Sequence, residues 1–239
     1  MAYYNRFPAY QTIDELKEKN IKKKKTYLKK HPEASPIVLE GKLGKTWWGK
    51  SWNQNLERYA DYENRLGRGK KYIKAEAILD FHIEKGRIYG EIAGSGRKIY
   101  NVDISIDPMN EQDWQHIQKN CGRRIDSLEQ LLSGQFPNEL KDIFFIKDHG
   151  LFPSSSQIHI YCDCPDYARL CKHASAFLYA TSIALDQNPA LFFQLRGISM
   201  DAFINKALGE NLDELMKKSK QKSKRILENE DLDALFHLS

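Results

Sequence analysis

Four side chains able to bind a soft metal ion fall between residues 162 and 173. They are Cys162, Cys164, Cys171 and His173, in the run Cys162-Asp163-Cys164-Pro165-Asp166-Tyr167-Ala168-Arg169-Leu170-Cys171-Lys172-His173. Written as spacing, this is C-x-C-x6-C-x-H. Three thiolates and one imidazole are the donor set of a closed tetrahedral zinc site, with Zn–S near about 2.3 Å and Zn–N near about 2.0 Å. Such soft donors favour zinc over magnesium, calcium or manganese. A catalytic zinc keeps one position open for water, and four strong ligands leave none, so the expected role is structural. The alternatives are weaker. The C-x-x-C spacing of a thioredoxin-type redox pair is missing, and free cysteines that merely fill a core have no reason to gather with a histidine. Three thiolates leave the site formally at −1, and Arg169 and Lys172 are placed to offset that charge. Cys121 lies far away in sequence and reads as an ordinary buried or partly buried residue.

Positioning such a site requires a strand, a loop and a helix. Residues Gln157 to Tyr161 alternate as a strand, and i, i+2 side chains on a strand share a side, so Cys162 and Cys164 can face one ion. Pro165 stops the strand, a six-residue loop follows, and 171–186 read as a helix rich in small residues. Upstream, alternating apolar residues between 72 and 107 (Ile73 to Ile83, Ile88 to Ala93, Tyr100 to Ile106) predict three antiparallel strands. Their turns are Glu84-Lys85-Gly86-Arg87 and Gly94-Ser95-Gly96. A shorter strand is expected at Ile37-Val38-Leu39. Trp48, Trp52, Leu56 and Tyr59 recur at helical spacing, so a helix to about Tyr62 should bury that stripe over the dry face of the meander. Thr12 and Glu15 have capping-box spacing for a helix over 11–30 that stops at His31-Pro32. Broken helices are expected over 109–153, and further ones at Pro189 to Leu195, 199–208 and 211–222. Beyond them lie a basic tail segment, Lys217 to Arg225, and a final cluster of Leu232, Leu235, Phe236 and Leu238.

Charge divides the chain unevenly. Residues 1–74 carry 18 Lys+Arg against 8 Asp+Glu, a net of +10, and the remainder carries 19 against 24, a net of −5; together these give the overall +5. A segment this basic attracts polyanions. The candidate nucleic-acid contacts are Lys22, Lys23, Lys24 and Lys25 on the first helix, Lys45, and Arg65, Arg68, Lys70 and Lys71. The last four lie in a Gly67/Gly69 stretch that reads as a mobile cationic loop. Trp47 falls off the helical stripe and could stack on a base. A solvated helix face is the plainer reading of the lysine run. With 12 Tyr, 11 Phe and 4 Trp, the composition is that of a folded protein. No apolar run approaches the ~18 residues of a membrane span. Without a secretory-type start or a disulfide framework, the expected location is cytoplasmic.

The cysteine cluster and its flanks resemble the SWIM zinc finger, whose signature is C-x-C-x(n)-C-x-H. The likeness spans residues 158–180, including Cys164-Pro165-Asp166, Cys171-Lys172-His173 and the Ala-x-x-Leu-Tyr piece that follows. The wider chain is similar to prokaryotic SWIM zinc finger family proteins at Lys45-Thr46-Trp47-Trp48-Gly49-Lys50-Ser51-Trp52, at Leu56-Glu57-Arg58-Tyr59, at Asn64 to Gly69 and at Leu191 to Gly197. The resemblance implies one structural zinc on Cys162, Cys164, Cys171 and His173. It also implies binding to DNA or proteins, and work beside a helicase-like ATPase of Swi/Snf type.

The expected architecture is therefore α+β. It comprises a basic N-terminal helix or arm (1–35), a region built on the antiparallel meander (36–108), a helical connector (109–153), a strand–loop–helix finger (154–187) and a helical C-terminal region (188–239). The expected function is that of a zinc-binding accessory factor for nucleic acid, DNA before RNA. A protein-interaction adaptor without nucleic-acid contact is the alternative. No P-loop, nucleophile elbow or H-E-x-x-H motif is present, so no catalytic residues are assigned and no enzymatic activity is expected. Carboxylates such as Asp80, Asp103 and Asp107 read more simply as the wet face of a strand than as a nuclease centre.

Overall fold

A computed structural model describes residues 11–121, 128–135, 137–147, 149–166 and 168–200. The helices expected beyond 200, the basic tail segment and the final Leu/Phe cluster lie outside the described residues. Helix α1 (Ile13–Lys30) begins as its sequence predicts. The Thr12 hydroxyl accepts from the Glu15 N–H at 3.2 Å, the Thr12 N–H donates to Glu15 Oε2 at 2.8 Å, and acidic and basic residues complement the two ends of the helix. The tryptophan stripe forms α2 (Trp47–Glu57), and a second helix, α3 (Ala60–Lys74), follows almost at once.

Strands β1 (Ile78–Glu84), β2 (Arg87–Ala93) and β3 (Ile99–Ile106) form the expected meander, with the first turn at Lys85-Gly86. Helices α4 (Glu111–Cys121), α5 (Leu128–Ser133) and α6 (Asn138–Phe144) come next. A 3-10 turn at Ser155–Gln157 leads into β4 (Ile158–Cys162). Helices α7 (Lys172–Gln187) and α8 (Ala190–Leu195) complete the described chain. The sheet has order β1-β2-β3-β4, antiparallel throughout. The strand that leads into the cysteines is thus a full member of the main sheet, not part of a separate module.

Three expectations are corrected. The stretch around Gly67 and Gly69 is helix, not a mobile loop, because glycine is needed there for close packing. A Cβ on Gly69 would lie 2.1 Å from Ser175 Oγ, so α3 reaches α7 only with hydrogen at that position, and the contact outweighs glycine's low helix propensity. In consequence α3 absorbs Ile73, and β1 starts only at Ile78. Ile37-Val38-Leu39 form no strand, although Ile37 and Leu39 pack against the core. The cover of the sheet is α7 rather than α2. Residues 173–185 of α7 are buried without interruption, between the sheet on one side and α2 and α3 on the other.

The stripe of Trp48, Trp52, Leu56 and Tyr59 is core, as its spacing predicts. It packs on α7, with Trp52 Nε1 donating to Leu178 O at 2.8 Å. Gly49 lets α2 approach just as Gly69 does α3, since its Cβ would sit 2.3 Å from Asp186 Oδ1. Asp186 in turn accepts from the N–H groups of Lys45 and Thr46 and from the Thr46 hydroxyl, which pins the start of α2 to the end of α7. Among the described residues no helix is long and apolar enough to cross a membrane.

Candidate metal centre

The cysteine cluster sits where β4 ends and α7 begins. Cys162 is the last residue of β4. The strand does not continue to Cys164 as the alternation predicts; Asp163 does the aligning instead. Its carboxylate accepts from the Asn101 N–H and from the Asn101 side-chain amide, both at 2.9 Å, and its own N–H donates to Asn101 O. Held by β3 in this way, the bend keeps both thiols on the inner side. Cys171 is the N-cap of α7, where its sulfur accepts from the Ala174 N–H at 3.4 Å. His173 stands in the first turn.

The four ligand atoms all lie within 4.8 Å of one another, and Cys162 Sγ is 3.9 Å from His173 Nδ1. A tetrahedron with metal–sulfur bonds of about 2.3 Å has edges of about 3.8 Å, so the spread fits a single ion after a small contraction. The cluster could hold one metal ion.

Burial and electrostatics agree with that reading. His173 is 2% exposed, its ring lies 4.7 Å from that of Tyr100 and 5.2 Å from that of Tyr72, and its Nε2 has no hydrogen-bond partner. The sulfurs are therefore the ring's polar company, which is costly for a bystander imidazole and natural for a ligand. The Cys171 thiol is held well below its ordinary range, first by a hydrogen bond from Cys162 and further by His173 and the Ala174 N–H. Cys162 is correspondingly pushed up, by its hydrogen bond to Cys171 and by burial, and burial raises Cys164. An N-cap position at the positive end of a helix suits a thiolate.

The surroundings include residues whose roles the sequence did not reveal. Arg65 Nη1 meets Asp166 Oδ2 at 3.0 Å, so an arginine expected to grip phosphate instead ties the metal loop to α3. Tyr72 and Tyr100 flank His173; Tyr100 alternates with Val102 on the inner face of β3, a signal that was readable, whereas Tyr72 reaches the site only through the α3–α7 contact. Arg169, expected to offset the site's charge, donates to Ser155 O at 2.8 Å, and Lys172 Nζ lies 5.1 Å from the centroid of the Tyr72 ring. The side chain of Cys121 lies outside the described residues.

The other candidate contacts are not gathered at one place. Lys22 and Lys25 are exposed on α1. Lys23 donates to Gly94 O and Gly96 O, and Lys24 pairs with Glu76 at 2.9 Å. Lys70 pairs with Glu57 at 2.7 Å, and Lys71 donates to Gln11 O. The side chains of Lys45 and Arg68 are exposed elsewhere. Trp47 is half-buried, 4.8 Å from Trp48 and 5.9 Å from Phe152 between ring centroids, so it belongs to the edge of the aromatic core.

No protein-family profile matches the chain, and no solved structure matches it. The chain is similar to "Uncharacterized protein Rv2102" of Mycobacterium tuberculosis (strain ATCC 25618 / H37Rv). The two are 28% identical over 158 residues, which make up 66% of this chain and 57% of the relative.

Proposed function

We propose that this chain is a SWIM-type, zinc-stabilised accessory factor that binds nucleic acid, DNA in the first instance, and works beside a helicase-like ATPase. The observation that carries the zinc part is the convergence of Cys162, Cys164, Cys171 and His173 at the junction of the sheet with its covering helix. These four residues would hold the ion, which supplies structural cross-linking and no reactive position, since no site remains for water or substrate. The nucleic-acid part is supported by the net +10 of residues 1–74 and by the SWIM-like motif. On this reading the lysines contact phosphate and the chain performs no chemistry of its own.

Titrating binding to DNA against salt tests the nucleic-acid part. Phosphate-dominated binding must weaken steeply as salt rises. The net −5 of the remaining residues favours a second reading, an adaptor that meets only protein. Failure to bind any nucleic acid at low salt selects that reading.

A further inference from the structure

We infer that the groove between α1 and the outer face of the sheet is the binding site for single-stranded DNA, with Tyr161 as its stacking platform. This rests on the proposal that the protein binds nucleic acid and names the place and the strandedness. The groove has a volume of about 560 Å³, of the size that takes small ligands. Its wall carries Lys22, Lys23 and Lys30 from α1 and Arg97 from the β2–β3 turn, and its floor includes Ile99 and Asn101 of β3.

The balance of charge in the groove is open toward a polyanion. Lys22, Lys30 and Arg97 make no ion pair among the described residues. Glu91 is the one carboxylate among the lining residues; outside the lining, Asp103 is paired with Arg87 and Asp163 accepts from Asn101. Lys22, Lys23, Lys30 and Arg97 against the single Glu91 leave the lining at a net +3 with histidine neutral, which complements phosphate.

The floor distinguishes a single strand from a duplex. Ile99 is 41% exposed and Tyr161 is 64% exposed, both on the solvent face of the sheet. In the β3–β4 register Tyr161 lies opposite Asp103, which places it diagonally beside Asn101, a residue of the groove floor. A duplex hides its base faces and offers phosphates to cations alone. An unpaired strand offers both, and a cationic wall with exposed Ile99 on its floor and exposed Tyr161 just beyond it matches that combination. The metal centre then acquires a second consequence, because Tyr161 precedes Cys162, and clamping Cys162 fixes the strand that presents the platform.

Fluorescence anisotropy on the full, zinc-loaded chain tests this with a labelled 15-nucleotide dT strand, a duplex of equal length and polyglutamate. The expected result is at least about tenfold tighter binding of the single strand than of either competitor. Tyr161→Ala should weaken single-strand binding about five- to hundredfold, from the usual worth of one stacked base, and leave the duplex unaffected. Replacing Lys22, Lys30 and Arg97 by Gln should flatten the salt dependence. All these side chains line an open surface, and unchanged circular dichroism and zinc content confirm the fold of each variant. Equal affinity for strand and duplex, or for polyglutamate, overturns the inference, as does wild-type affinity in both variants, while leaving nucleic-acid binding itself standing. Absence of binding to any nucleic acid removes both.

Discussion

Arg65 shows how a residue's meaning depends on its partner. In sequence it is one cation among several near two glycines; in the fold its guanidinium holds Asp166, 101 positions away, at 3.0 Å. The pair is partly exposed on both sides and contributes about 0.5–1 kcal/mol to stability. Its larger effect is on the loop that carries Cys164 and Cys171. We expect Arg65→Ala to keep one equivalent of zinc at saturation but to lose it to a competing chelator at roughly tenfold lower chelator concentration, the scale of outer-shell effects on metal sites. Chelator titration with a colorimetric readout checks this. The convergence of Cys162, Cys164, Cys171 and His173 was legible because the whole set lies within one short run, where spacing alone limits the geometry. Arg65, Lys24 and Lys70 were not, because their carboxylate partners come from distant segments that only the tertiary fold brings near.

At the scale of elements, the glycines of α3 give a paired prediction. Gly69→Ala should destabilise the protein by about 2 kcal/mol or more, since the new methyl would lie 2.1 Å from Ser175 Oγ and 2.8 Å from its backbone carbonyl carbon. Gly67→Ala, two positions away, meets nothing within 4 Å and should stabilise by about 0.5–1 kcal/mol through helix propensity. Urea unfolding of the two variants separates close packing from a mobile loop, in which neither change would matter. The same glycines misdirected the sequence reading, because a helix interior that tolerates them is explained only by the neighbouring helix. By contrast α1 and the meander were legible, since a capping box and alternation are local signals. Helix α1 is tethered to the end of α3 by Lys17 and Lys24, both 2.9 Å from the Glu76 carboxylate. Burial raises the pKa of Glu76, but the hydrogen bonds from Lys24 and Lys17 outweigh it and hold the group below its ordinary 4.5. The tether therefore contributes fully above that value and is lost as pH falls through the depressed one. Glu76→Gln should cost about 1 kcal/mol at neutral pH and nothing in strong acid, by denaturant unfolding at the two pH values.

Across the whole molecule, the Cys3His cluster joins the two elements on which everything else rests. Strand β4 completes the sheet and α7 is the helix around which α2, α3 and the sheet pack. The spacing of the four candidate ligands does not reveal this, because only the fold shows that their flanking strand and helix belong to the main core. Removing zinc should lower the midpoint of one cooperative thermal transition for the entire chain, with a stabilisation of about 4 kcal/mol when free zinc exceeds its Kd a thousandfold. Two separated transitions on adding chelator would restore the picture of an independent module. The account as a whole depends on one ion bound by Cys162, Cys164, Cys171 and His173, and elemental analysis of the purified chain measures that most directly. One equivalent of zinc in the native protein, falling toward zero in Cys171→Ser, is the predicted result. A native chain without zinc, or a variant that keeps its full equivalent, would contradict it.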